Sequence, residues 1–270
     1  MWGVRVFLMK NLILFAVLVT LPLLLGGCGE KHEGVAAIHL TTSAGITYFK
    51  GIPYTGKSFT IYNNGQKSSE THYKEGKEDG PITLWFENGL KEQETNFKNG
   101  IAHGPIMAWY ENGQKKNEGS LKDGKKDGVV TFWYENGNKK MKGSYKDGKP
   151  HGLISEWYEN GQKMEEGNFN NGKKNGFIKV WYKSGEKEYI ANFKDDIAQG
   201  RYINFYPNGQ KRSEGNFKEG LHHGLWLFGH ENGQKIGELI YEKGEVVSER
   251  YWNSDGEAVD TAKEAGINLK

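Results

Sequence analysis

Aromatic side chains recur along this chain at a fixed step, always separated by polar turns of the same length. Trp85, Trp109, Trp133, Trp157 and Trp181 are followed at once by Phe86, Tyr110, Tyr134, Tyr158 and Tyr182, and Phe205-Tyr206 continues the row. A second apolar row runs Phe97, Leu121, Tyr145, Phe169, Phe193, Phe217 and Tyr241. Between the two rows sits Asn-Gly, its glycine being Gly65, Gly89, Gly113, Gly137, Gly161, Gly209 or Gly233, and Ser184-Gly185 fills the remaining slot. Every interval is 24 residues, and a fixed period of that length decides the architecture.

Within each copy apolar and polar positions alternate with period two, the signature of a strand with two unlike faces. Asn-Gly between two such runs predicts a two-residue type I′ hairpin. In the third copy Tyr110 would then oppose Lys115, Trp109 would oppose Lys116 and Ile106 would oppose Gly119. Ile106, Ala108, Tyr110, Gly119 and Leu121 fall on one face, with Trp109, Met107, Lys116 and Glu118 on the other. Gly119, Gly143, Gly167 and Gly215 recur mid-strand, where a neighbouring apolar group is expected to lie flat on the backbone. The expected fold is all-β, an elongated single-layer antiparallel sheet of about eight tandem 24-residue hairpins with sixteen strands over residues 51–256. The end copies degenerate as caps should: Ile61 takes the tryptophan slot in the first, Gly229-His230 replaces the aromatic pair in the eighth, and Tyr251 to Gly256 reads as a shortened ninth. Residues 257–270 read as a polar tail, frayed or a short helix.

The first 27 residues follow another pattern. Arg5 and Lys10 precede the apolar run Leu12 to Leu25, no acidic residue occurs before Glu30, and the run is too short and too interrupted by Pro22 to span a bilayer. A removable export signal over residues 1–27 accounts for this. Leu25-Gly26-Gly27-Cys28 ends the run and holds the chain's single cysteine, so no internal disulfide is possible. These four residues resemble the lipobox of bacterial lipoproteins, which implies cleavage before Cys28, acylation of its thiol, a membrane anchor, and a tether over residues 28–50. Gly29, not aspartate, follows the cysteine, which by the same resemblance implies the outer membrane in a cell with two.

Composition narrows the function. Glycine is abundant at 38 residues, proline scarce at 6 and aromatics reach 13%, as tight turns between short strands require and disorder does not. The formal charge of +2 vanishes once Arg5 and Lys10 are removed, and the signs alternate along the chain, so no basic stripe marks a nucleic-acid partner. Glu111, Glu135, Glu159 and Glu118 recur with flanking lysines and read as a charge-paired strand face, not as one pair of catalytic carboxylates. His103, His151 and His223 share a slot held elsewhere by Asp79, Asp127, Asn175 and Gln199. Copies two strands apart stand about 9.6 Å from each other, too far to share a metal, so these side chains are expected to bond their own loops. No phosphate loop, dinucleotide fingerprint or nucleophile elbow is present. The reading is a protein that is not an enzyme and takes no cofactor or metal. Trp85, Trp109, Trp133, Trp157 and Trp181 remain as a candidate binding strip, with packing between hairpins as the alternative.

With Trp-Tyr-Glu-Asn-Gly-Gln-Lys and its following Glu-Gly, aromatic and Gly-Lys positions in view, residues 51 to 256 resemble the MORN-repeat variant family, which includes YwqK-like antitoxin and immunity proteins. The resemblance implies extended antiparallel sheets, protein or membrane partners, and no catalytic residues. The function expected is an envelope-anchored scaffold that binds another macromolecule, foremost a protein, with an immunity protein and a cell-wall glycan binder as the alternatives.

Overall fold

The computed structural model describes residues 33–266, so the expected signal over 1–27 and Cys28 lie outside the described residues. Sixteen consecutive antiparallel strands run from Gly56 to Glu242, each hydrogen-bonded to the next in chain order as a long open sheet. One of them is interrupted between Lys125–Lys126 and Gly128–Trp133. The strand Glu245–Trp252 and the two-residue strand Ala258–Val259 extend one edge, and Val35–Ala36 closes the other, parallel to Gly56–Ile61. Ala258–Val259 pairs only with Tyr251 and Trp252, and Val35–Ala36 only with Ser58 and Phe59. Among the described residues no α-helix occurs, as the alternating pattern requires.

The Asn-Gly turn is not the expected two-residue type I′ turn. At Asn112-Gly113 the Gly113 N–H donates to Tyr110 O (2.8 Å) and the Tyr110 N–H donates to Gln114 O (2.8 Å), enclosing three residues instead of two. Only Gly113 has a positive φ, at 84°, so this is a type I turn closed by a glycine bulge. Trp109 therefore opposes Lys115, not Lys116, and a second bulge at Lys116 brings the pairing back to Ile106 opposite Gly119 as predicted. The type I′ turn lies at the other connection, where Lys122 opposes Lys125 and Asp123 and Gly124 carry φ of 50° and 75°. Asn is needed at the first turn for a different reason. Asn112 Oδ1 accepts from the Gln114 N–H (2.9 Å), while its Nδ2 donates to the carbonyl of Glu135 in the next copy (3.0 Å).

The strand glycines have the role expected of them, with the covering side chain supplied by the next hairpin. Val130 lies on Gly119, Ile154 on Gly143, Ile178 on Gly167 and Trp226 on Gly215. Ile178 is fully buried in this way, worth about 1.5–3 kcal/mol on the usual scale for a buried aliphatic. The largest apolar cluster sits at the carboxyl end of the sheet and joins Trp226, Ile236, Leu239, Tyr241, Tyr251 and Ala265. His222 packs into it, 4.2 Å from the Trp226 ring and 4.9 Å from that of Tyr241, and burial lowers its pKa.

Both segments expected to be irregular carry structure where they are described. Leu40–Ser43 and Ile46–Phe49 of the expected tether join Ile52–Pro53, just beyond it, in a three-stranded sheet connected by Ala44-Gly45 and Lys50-Gly51, all four residues at positive φ. The Thr47 N–H donates to Gly76 O and the Gly76 N–H to Tyr54 O, both at 2.7 Å, which closes this sheet over the type I′ turn at Glu75-Gly76. In the expected tail, Val259, Ala262 and the 2%-exposed Ala265 pack on the carboxyl-terminal cluster. Isolated small apolar residues cover that end without showing a strand or helix period, which is why the sequence reads as a tail.

Candidate functional site: the tryptophan face

Trp85, Trp109, Trp133, Trp157 and Trp181 end the outgoing strands on one face, each half-buried. Their backbone is fixed from the neighbouring copy. Tyr62 OH donates to Trp85 O (2.6 Å), Tyr110 OH to Trp133 O (2.8 Å), Tyr134 OH to Trp157 O (2.8 Å) and Tyr158 OH to Trp181 O (2.9 Å). Phe86 has no hydroxyl, so Trp109 lacks this bond. The tyrosine ladder and the asparagine ladder bind successive hairpins along the sheet end, and each such hydrogen bond is worth about 1 kcal/mol net.

The bulge after each Asn-Gly turn also builds the polar part of this face. It places residues three apart on the same side, so that Lys67–Glu70, Lys115–Glu118 and Lys235–Glu238 form ion pairs at 2.6, 2.7 and 2.9 Å. Hydrogen bonds from Lys211 and Arg201 hold Glu214 below the ordinary carboxylate range, and that from Lys163 does the same for Glu166. The lysine ammonium then sits over the next tryptophan: Lys67 over Trp85 and Lys163 over Trp181, each 5.4 Å from the ring centroid, and Lys115 over Trp133 at 5.8 Å. Such contacts contribute roughly 0.5–1 kcal/mol at exposed sites. One rank further from the turns, Val129, Leu153, Phe177 and Leu225 recur at the repeat step with about half their surface exposed. Sequence reading missed this row because Pro81, Pro105 and Arg201 interrupt its apolar character.

The remaining candidates separate. Glu111, Glu135 and Glu159 are exposed turn residues whose carbonyls accept the asparagine ladder. In the histidine slot, His103 Nδ1 is 3.6 Å from Asp123 Oδ1, while His151 and His223 are exposed. Asp79 and Gln199 accept the N–H of Asn99 (3.2 Å) and of Glu219 (3.1 Å), capping the type I′ turn of the partner strand and not their own loop.

The opposite face holds a carboxylate in an apolar slot. Glu156 occupies the slot of Leu84, Phe132 and Val180, directly opposite Glu165. Burial first, and then the Glu165 charge, raises its pKa above the ordinary carboxylate value. A folded-state value above the unfolded one favours folding at low pH, and this contribution is lost as pH rises through the folded value. Glu156→Val is therefore expected to raise the melting temperature at pH 7, with the gain shrinking as pH falls through the raised Glu156 value and gone below about pH 4. Thermal melts of both proteins across that range measure it.

Consecutive hairpins that bury apolar side chains on neighbouring copies define a tandem β-hairpin repeat protein. Three stretches, residues 126–147, 150–171 and 198–219, match the MORN repeat variant family, and each match ends on the first residue of a type I′ turn. No curated protein sequence matches the chain.

Proposed function

We propose that this protein is a non-enzymatic, envelope-anchored scaffold that binds another macromolecule along its tryptophan face. The observation that carries the reading is the inequality of the two faces. One fills its own surface, with Val130, Ile154, Ile178 and Trp226 laid on strand glycines. The other keeps Leu153 at 50% and Phe177 at 53% exposure beside half-buried indoles and ordered ion pairs. Repeated apolar side chains left in water on a rigid sheet suit a partner better than they suit solvent. Repeat sheets generally bind along one extended surface, and the partial match to the MORN repeat variant family supports a protein- or membrane-binding module.

The anchor belongs to the same proposal. Export by residues 1–27 and acylation at Cys28 would hold the sheet at the cell envelope, on the outer membrane where there are two, since each buried methylene adds about 0.8 kcal/mol. The test uses the full-length protein in cells with a photo-crosslinking side chain at Leu153 or Phe177, or at Val180 on the opposite face. High-mass adducts are expected from the first two positions only, and Cys28→Ser is expected to move the protein out of the membrane fraction. Adducts equal at all three positions, or none, would remove the binding-face reading; membrane retention of Cys28→Ser would remove the anchor.

A further inference from the structure

The tryptophan face repeats a lysine–glutamate pair three residues apart in six copies, from Lys67–Glu70 to Lys235–Glu238. Two copies break the rule, and they flank the middle of the sheet. Lys139 meets Lys142 where the glutamate should be, and Lys187 meets Ile190. Lys142 lies opposite Thr131 and Ser155, and Lys179 lies opposite Ile190, so both stand on this same face. Between Lys139 and Ile190 the face thus carries Lys139, Lys142, Lys163, Lys179 and Lys187 against the single carboxylate of Glu166. Elsewhere along it each paired lysine meets its glutamate, and Lys57 and Arg201 share the carboxylates of Glu70 and Glu214.

The same stretch also presents aromatic rings. Lys139 makes no cation contact with Trp157, as Lys91 makes none with Trp109, whereas the corresponding lysines sit over Trp85, Trp133 and Trp181. Phe177 projects into solvent opposite Asn192, with Asn168 beside it on the adjoining strand. Nearest the turns, Trp133 opposes Lys139, Trp157 opposes Lys163 and Trp181 opposes Lys187, so aromatic and cation alternate strand by strand across the sheet. This pattern repeats every two strands, about 9.6 Å.

We propose that the middle of the tryptophan face binds a linear anionic polysaccharide running across the strands. The reading rests on the tryptophan face being the binding face and names its ligand. Sugar rings present apolar faces to indole and phenyl planes, their acid groups meet the unpaired ammoniums, and their hydroxyls meet the Asn168 and Asn192 amides. A polymer of identical units matches a surface with a translational period, whereas the surface of a globular protein without repeats has none. An acidic polypeptide would supply the charge without the rings.

The full-length protein in detergent micelles is tested on immobilised polygalacturonate, neutral dextran and poly-glutamate. Retention on polygalacturonate alone is expected, weakening with added salt. Lys142→Glu installs the glutamate that six other copies carry, so the melting temperature is expected to hold while polygalacturonate affinity drops about tenfold. Trp157→Ala is expected to weaken it as well. Equal retention on poly-glutamate, no retention on polygalacturonate, or indifference to either substitution would overturn the proposal. Crosslinking through Phe177 without polysaccharide retention would leave the binding-face reading intact and sink this one alone.

Discussion

Gly215→Ala is expected to destabilise the protein by about 3–5 kcal/mol, a larger effect than most single surface changes can produce. The φ of Gly215 is not positive, so backbone strain plays no part and the effect comes from contact alone. A Cβ built there falls closer than 3.0 Å to three atoms of the Trp226 indole, a separation that real Cβ atoms do not show. Trp226 has nowhere to go. It is 2% exposed, held between Phe217, His222 and Tyr241, and its Nε1–H donates to Asn216 O at 3.1 Å. Overpacking alone costs about 1–3 kcal/mol, and displacing the indole would open a cavity and unmake that hydrogen bond. Ala191 supplies the control. It fills the equivalent slot opposite Tyr202, so Ala191→Gly is expected to cost only about 0.5–1 kcal/mol. Urea titration of both variants measures the difference; a Gly215→Ala midpoint equal to the parent's would mean the ring does not depend on the bare backbone.

The sequence carried the repeat, its phase and its faces because each rests on a period that sterics enforce in every copy. Ile106 opposite Gly119 could be read without coordinates, since an apolar side chain facing a recurrent glycine has one economical explanation. The turn at Asn112 could not. Asn-Gly favours type I′ when the pair acts alone, but here the Asn112 amide is recruited by Glu135 of the following copy, a contact 23 residues away. Likewise Asp123-Gly124 is the less emphatic turn signal and yet forms the two-residue closure. The candidate strip was legible as a row of tryptophans, whereas its charge asymmetry was not. That Lys142 lies on the same side as Lys139 depends on a bulge, and a bulge reverses the face that simple alternation assigns. The end caps were hidden for a related reason: Ala265 and Thr47 are buried by long-range contact and belong to no repeating pattern.

Removing residues 113–136, a whole period, is expected to leave a folded sheet two strands narrower, while removing only 113–124 is expected to destroy cooperative folding. The whole-period deletion joins Asn112 to Gly137, so every functional contact finds an equivalent partner. Tyr110 can reach Trp157 O in place of Trp133 O, Asn112 can reach Glu159 O in place of Glu135 O, and Ile106 comes to face Gly143. In a quasi-one-dimensional stack, stability is a sum of local and nearest-neighbour terms, so this variant loses one copy's share and keeps both caps. The half-period deletion removes one strand. Asn112 then runs directly into Lys125, and every later strand must reverse its direction to remain antiparallel. The tyrosine ladder from Tyr62 to Trp85 and that from Tyr134 to Trp157 would lie at opposite ends of the sheet, with the exposed lysines of one half abutting the type I′ turns of the other. Circular dichroism with thermal melting separates the cases: one cooperative transition with retained strand signal for the first variant, and no such transition for the second. A cooperative melt from both would show that the hairpins associate without regard to the order of their turns, and the ladders between copies would then be incidental to the fold.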